Sequence, residues 1–148
     1  MSIRYAMLIT AGACALVLVA PPATGQDTVA AKWQSVAKTE HQEAFVNTTS
    51  ITTVGGQLEA RVKQNYAQAQ PAAKKDKSYL STRSLYRFDC AQRKIGMKEL
   101  RAYSGADLQG EVVQKATSKD KNMQWLPAED RTVFGELLDY VCKAAPAG

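Results

Sequence analysis

The chain has 148 residues, enough for one ordinary domain and too few for two, with 45% hydrophobic and 22% charged residues. Those fractions exclude a collagen-like chain, an acidic disordered tail and a polytopic membrane protein. The formal net charge is +5, with 19 Lys+Arg against 14 Asp+Glu, and there is a single histidine, His41.

The chain opens with Arg4 and then an uncharged run, Tyr5 to Ala20, followed by Pro21-Pro22-Ala23-Thr24-Gly25 and a polar turn at Gln26-Asp27. A positive start, an apolar run and small residues at a cut site make a secretory signal peptide. Ala23 and Gly25 fit the small positions, so residues 1–25 read as the signal and 26–148 as the exported domain. An uncleaved anchor is the competing reading, but the run is short against the roughly 20 residues needed to span a bilayer. Ala11-Gly12-Ala13-Cys14 resembles a lipoprotein processing box, yet the apolar run continues past it to Ala20. A small apolar residue inside the signal is the plainer reading of Cys14. Loss of Arg4 takes the net charge of the exported chain to +4.

The elements follow in chain order. Lys32-Trp33-Gln34-Ser35-Val36 and Ala44 to Asn47 read as short strands, and the β-branched run Thr48 to Val54 as a turn and strand end. Gly55-Gly56 is a hairpin signal. Leu58 to Tyr66 alternates, with Leu58, Ala60, Val62 and Tyr66 on one face and Glu59, Arg61, Lys63 and Asn65 on the other. Ala67 to Ser78 reads as a loop, and Tyr79 to Cys90 as a strand with Arg83, Arg87 and Asp89 on its polar face. Ala91-Gln92-Arg93 makes a tight connection to a strand over Lys94 to Tyr103, whose alternation breaks at Glu99-Leu100. A bulge near Gly96 would account for that break. After a turn at Ser104 to Asp107, Leu108 to Lys115 reads as a strand, Ala116 to Asn122 as a loop, and Trp125-Leu126-Pro127 as the close of the β region. Ala128-Glu129-Asp130, just after a proline, suits the start of a helix. Val133, Phe134, Leu137, Leu138 and Val141 then form one apolar stripe. Consecutive strands with short connections followed by one helix predict an α+β fold. The expectation is a single antiparallel sheet of about five to six strands, with the C-terminal helix packed on it.

Two cysteines remain outside the signal, Cys90 and Cys142, 52 residues apart. An even pair in an exported chain reads as one disulfide. Two free thiols are the alternative, but no CxxC or Cys–His arrangement supports a catalytic role.

The search for chemistry turns up little. His41 sits between Glu40 and Glu43, but no second histidine or cysteine cluster completes a metal or catalytic site, so neither metal nor cofactor is expected. No serine lies in a nucleophile elbow and Gly55-Gly56 lacks phosphate-loop spacing. Asn47-Thr48-Thr49 matches a three-letter glycosylation sequon. The basic surplus is the one positive signal. Lys74, Lys75, Lys77, Arg83 and Arg87 form the candidate cationic patch for a polyanion, against the alternative of an ordinary solvated face. Export weakens nucleic acid as a partner.

Several residue groups, taken in order, resemble the bacterial surface-adhesin protein E family. They are Trp33-Gln34-Ser35-Val36, Phe45-Val46-Asn47, Ser50-Ile51 before the glycine turn, Tyr79-Leu80-Ser81, Phe88-Asp89-Cys90, Tyr103-Ser104-Gly105, Trp125-Leu126-Pro127 and Val141-Cys142. The resemblance implies an antiparallel sheet with a C-terminal helix, a strand-to-helix disulfide and export to the envelope of a Gram-negative bacterium, in the periplasm or on the outer surface. It also implies binding of extracellular-matrix and serum proteins. With no catalytic constellation and a basic surplus, the expectation is a non-enzymatic binding module for proteins or polyanions, with a homodimer through sheet edges or faces admitted. A periplasmic structural or stress-related domain is the alternative. Asn47 stands where the family pattern has aspartate.

Overall fold

The computed structural model describes residues 30–145. The signal-like run and Cys14 lie outside them. The described chain forms eight strands and one helix. The strands are β1 (Trp33–Lys38), β2 (Gln42–Asn47), β3 (Thr52–Val54), β4 (Gln57–Pro71), β5 (Ser78–Asp89), β6 (Lys94–Tyr103), β7 (Val112–Thr117) and β8 (Trp125–Pro127), and the helix is α1 (Val133–Ala144). All pairings are antiparallel, in the order β1-β2-β4-β5-β6-β7.

The sheet has eight strands, not the about five to six expected, and six of them form its main path. The two extra strands arise because two long strands each carry a broken partner. One edge of β4 is covered first by β3, opposite Gln57–Glu59, and then by β2, opposite Val62–Tyr66. A 3-10 turn at Thr48–Ser50 bridges the gap. There the Ser50 hydroxyl accepts the Arg61 N–H at 2.9 Å and donates to the Asn47 carbonyl at 2.7 Å. β6 is treated alike: β7 pairs its far half, β8 pairs Lys94–Gly96, and the Ser118 N–H donates to the Lys98 carbonyl between them at 2.8 Å.

Two strand boundaries and one bulge differ from expectation. β4 runs through Ala67 to Pro71, because Gln70 and Pro71 pair again with Tyr79 and Ser78 after an irregularity in which Tyr66 to Ala69 stand against Leu80 alone. Leu108 is not in a strand. It takes a left-handed φ of 63° beside Asp107 at 54°, in a turn that delays β7 to Val112 and carries it through Thr117. The bulge in β6 falls at Lys98 and not at Gly96, since Leu85 opposes Glu99 while Tyr86 opposes Met97.

One sheet face buries Val46, Ala60, Val62, Phe88 and Ile95 against Leu137, Leu138 and Val141 of α1. Tyr86 bridges sheet and helix, its ring edge-on to Phe88 at 6.4 Å and to Phe134 at 5.9 Å. The helix begins at Val133, later than the acidic pair Glu129-Asp130 suggested. Arg131 has a left-handed φ of 62°, and the Thr132 hydroxyl caps the helix by accepting the Gly135 N–H at 3.1 Å. Cys90, just past β5, is bonded to Cys142 of α1 with their Cα atoms 5.9 Å apart. Arg93, in the same connection, donates at 2.7 Å to both Asp130 and Asp139. The β5–β6 turn is thus clamped to the helix covalently and ionically.

Candidate interaction surface

The other sheet face carries charge. Alternation puts Glu59, Arg61, Lys63 and Asn65 of β4 on it, opposite Arg87, Leu85, Arg83 and Ser81 of β5. At the helix-clamp end lies a closed ion network. Arg87 Nε donates to Glu59 at 3.0 Å and its Nη1 meets Asp120 at 3.3 Å. Lys98 joins the same two carboxylates at 3.1 and 2.9 Å. Burial alone would raise the Glu59 carboxyl, but hydrogen bonds from Arg87 and Lys98 outweigh it and hold Glu59 below the usual carboxylate range. The Lys98 hydrogen bond, with Arg87 nearby, lowers Asp120 likewise.

At the other end, Lys63 is nearly covered. Its ammonium bonds Asp107, and it lies 4.4 Å from the Phe45 ring centroid and 5.4 Å from that of Trp33. The hydrogen bond and charge of Lys63 depress the Asp107 carboxyl. The turn that bears Asp107 is held down on this face. The Asp107 N–H donates to Asn65 Oδ1 at 3.0 Å, and the Ser81 hydroxyl donates to the Gly105 carbonyl at 2.7 Å while accepting the Leu108 N–H.

Between the two ends, Lys63 stands directly opposite Arg83, Arg83 opposite Arg101, and Arg101 opposite Lys115. Four cations from four adjacent strands fall in one row. Arg83 is half-buried, and Arg101 and Lys115 are exposed.

The five residues of the expected cationic patch are divided by the fold. Lys74 and Lys75 are exposed at the β4–β5 hairpin tip, and Lys77 there is paired with Glu111 at 2.5 Å. Arg87 is buried in the ion network. Arg83 alone stands in the cross-strand row. Sequence reasoning missed Lys63 and Lys115 as its companions and counted Arg101 only in the general basic surplus. The signal was register, and the bulge at Lys98 sets it: were Lys98 paired regularly opposite Leu85, Arg83 would face Leu100, and Arg101 would turn to the other face.

Elsewhere, His41 is exposed at the β1–β2 turn, 3.1 Å from Glu40. Among the described residues no cluster of three or more His, Cys, Asp or Glu side chains could hold a metal. Asn47 of the sequon is buried, and its Oδ1 accepts from Lys32 N, Thr49 N and Thr49 Oγ1, so that side chain does structural work. An apolar pocket of about 340 Å³ opens beside α1, lined by Tyr86, Ile95, Met97, Leu126 and Phe134 with three neutral polar side chains.

Comparison with known proteins decides the family. The family model for surface-adhesin protein E matches residues 33–143. The chain belongs to the surface-adhesin protein E family. Solved structures of Haemophilus influenzae protein E share the fold. One matches with a TM-score of 0.53 at 14% identity, covering 75% of this chain and 83% of that one. A second crystal form matches with a TM-score of 0.55 at 14% identity, covering 75% and 87%. No curated protein sequence matches this chain. The matched span begins at Trp33, the first residue of β1, and reaches past Cys142, so it takes in the whole sheet, the disulfide and most of α1. No helix among the described residues of this surface-adhesin family member is long and apolar enough to cross a membrane.

Proposed function

We propose that this chain is an exported, non-enzymatic adhesin that acts outside the cytoplasm by binding extracellular-matrix or serum proteins. The observation that carries the reading is the family match over residues 33–143, joined to a fold with the same strand-to-helix cysteine frame that the resemblance implies. Residues 1–25 serve as the export signal, and the folded unit lies within residues 26–148. A disulfide closing a long loop suits an oxidising compartment.

A second reading has its own support. Cleavage after Gly25 would remove Cys14, the only cysteine placed to take a lipid, and would release the domain into the periplasm as a structural or stress-related protein. Two measurements separate the readings. Surface exposure is tested by protease treatment of intact cells, with the N-terminal mass of the mature protein measured in parallel. Digestion on intact cells and saturable solid-phase binding to matrix or serum proteins are expected for the adhesin. Full protection behind the outer membrane sinks it and leaves the periplasmic reading.

A further inference from the structure

We infer that the row Arg83–Arg101–Lys115, closed at one end by Lys63, is a binding site for a linear sulfated polysaccharide laid across the strands. The inference narrows the binding-module reading to one ligand chemistry and one place. Like charges directly opposite one another on a sheet are destabilising. Here the pairs Lys63–Arg83, Arg83–Arg101 and Arg101–Lys115 are all of that kind. Elsewhere on this face Arg61 is paired with Glu99, Lys63 with Asp107, and Arg87 and Lys98 with Glu59 and Asp120, while Lys94 stands opposite an acid, Asp89, in register. Among the described residues no carboxylate lies within 4.0 Å of Arg83, Arg101 or Lys115. The row costs folding energy and receives no acid in return, which is the arrangement expected where an external anion supplies the missing charge.

The shape of the row indicates the kind of anion. Cross-strand neighbours stand about 5 Å apart. The open cations therefore form a straight track of roughly 10 Å perpendicular to the strands, about 15 Å with Lys63. A single small anion would engage one or two of them, whereas a chain bearing an anion at every sugar or two engages all. Two of the three open residues are arginines, whose planar fork grips sulfate or carboxylate through two parallel hydrogen bonds. Single-stranded nucleic acid fits less well, because such sites pair a basic groove with a series of stacking rings. The rings at the closed end, Trp33 and Phe45, already face the Lys63 ammonium. The register neighbours of the open part are Leu85, Glu99 and Thr117 on one side and Ser81 and Tyr103 on the other.

The test uses the exported protein and heparin as the sulfated probe, with affinity measured in solution at about 0.1 M salt, where surface charges are only partly screened. The triple variant R83Q/R101Q/K115Q is compared with K74Q/K75Q/K119Q, which removes the same charge elsewhere. The row variant is expected to bind at least about tenfold more weakly, and the control within about threefold of wild type. Thermal unfolding of the row variant is expected at or above the wild-type midpoint, since a like-charge row is being relieved. A purely structural role for these cations would lower it. R101E alone, at an exposed position, must weaken binding in the same direction. Equal losses in the two triple variants, no heparin binding by wild type, or tighter binding of a single-stranded oligonucleotide would each overturn the site. A periplasmic protein that binds heparin through the row would lose the adhesin reading and keep this one. A surface-exposed protein that ignores heparin would do the reverse.

Discussion

Gly135 shows how one residue holds the helix to its approach. It is fully buried in the first turn of α1, and a Cβ built there would lie 2.1 Å from the Glu129 carbonyl oxygen. That oxygen also accepts the Thr132 hydroxyl at 2.7 Å, and the same hydroxyl caps the helix through Gly135 N–H. The backbone loop before the helix is thus packed against the one position that has no side chain. Gly135→Ala is expected to destabilise the domain by about 1–3 kcal/mol, read from the denaturant midpoint, because backbone must move to admit the methyl. Gly96 offers the contrast. A Cβ there meets Met123 Sδ at 2.7 Å, the far part of a flexible side chain, so Gly96→Ala should cost less. If the two substitutions proved equal, the close approach at Glu129 would not be what selects glycine at Gly135.

At the scale of elements, the α1 stripe and the alternation of β4 and β5 were legible from local pattern, because a helix or strand buries every third-to-fourth or every second residue. The ends of β4 and β7 and the place of the β6 bulge were not. Ala67 to Ala69 looks like the start of a loop, and only the renewed pairing of Gln70 and Pro71 with β5 makes it a strand irregularity. The acidic pair Glu129-Asp130 suggested the first turn of the helix, yet Asp130 instead binds Arg93, holding the β5–β6 turn to the helix start. The disulfide reinforces that same junction. Closing a loop of 52 residues, it stabilises by about 4 kcal/mol in the chain-entropy model. C90A/C142A should therefore unfold at a distinctly lower denaturant midpoint under oxidising conditions. Wild type in reductant should match it, and an unchanged midpoint would remove the bridge from the account of stability.

For the whole molecule, the balance of charge on the sheet makes stability depend on pH. Glu59, Asp107 and Asp120 all titrate below their ordinary range because cations and hydrogen bonds favour their ionised forms in the fold. On acidification the unfolded chain takes up protons first, near pH 4. The stabilisation is complete above that range and is lost as pH falls through the lower folded values. Denaturant midpoints followed from pH 7 to pH 3 should fall steeply. Glu59→Gln should be less stable at pH 7, since Arg87 is then left buried with only the more distant Asp120, and should lose less on acidification. A parallel acid limb in that variant would show that the network is not the source of the pH dependence.

By itself the sequence determined the fold class, the antiparallel pairing, the helix stripe and the cysteine pairing, because each follows from residue spacing, short connections or an even count of thiols. It also carried enough of the family's residue pattern to be recognised. Only the tertiary structure decided which charges meet. Lys63, Arg83, Arg101 and Lys115 come from four different strands, β4 to β7, and whether Lys98 bulges out or pairs with Leu85 decides whether Arg101 or Leu100 faces Arg83. Register is a property of pairs of strands and of the bulges between them, so no single strand's pattern reveals it.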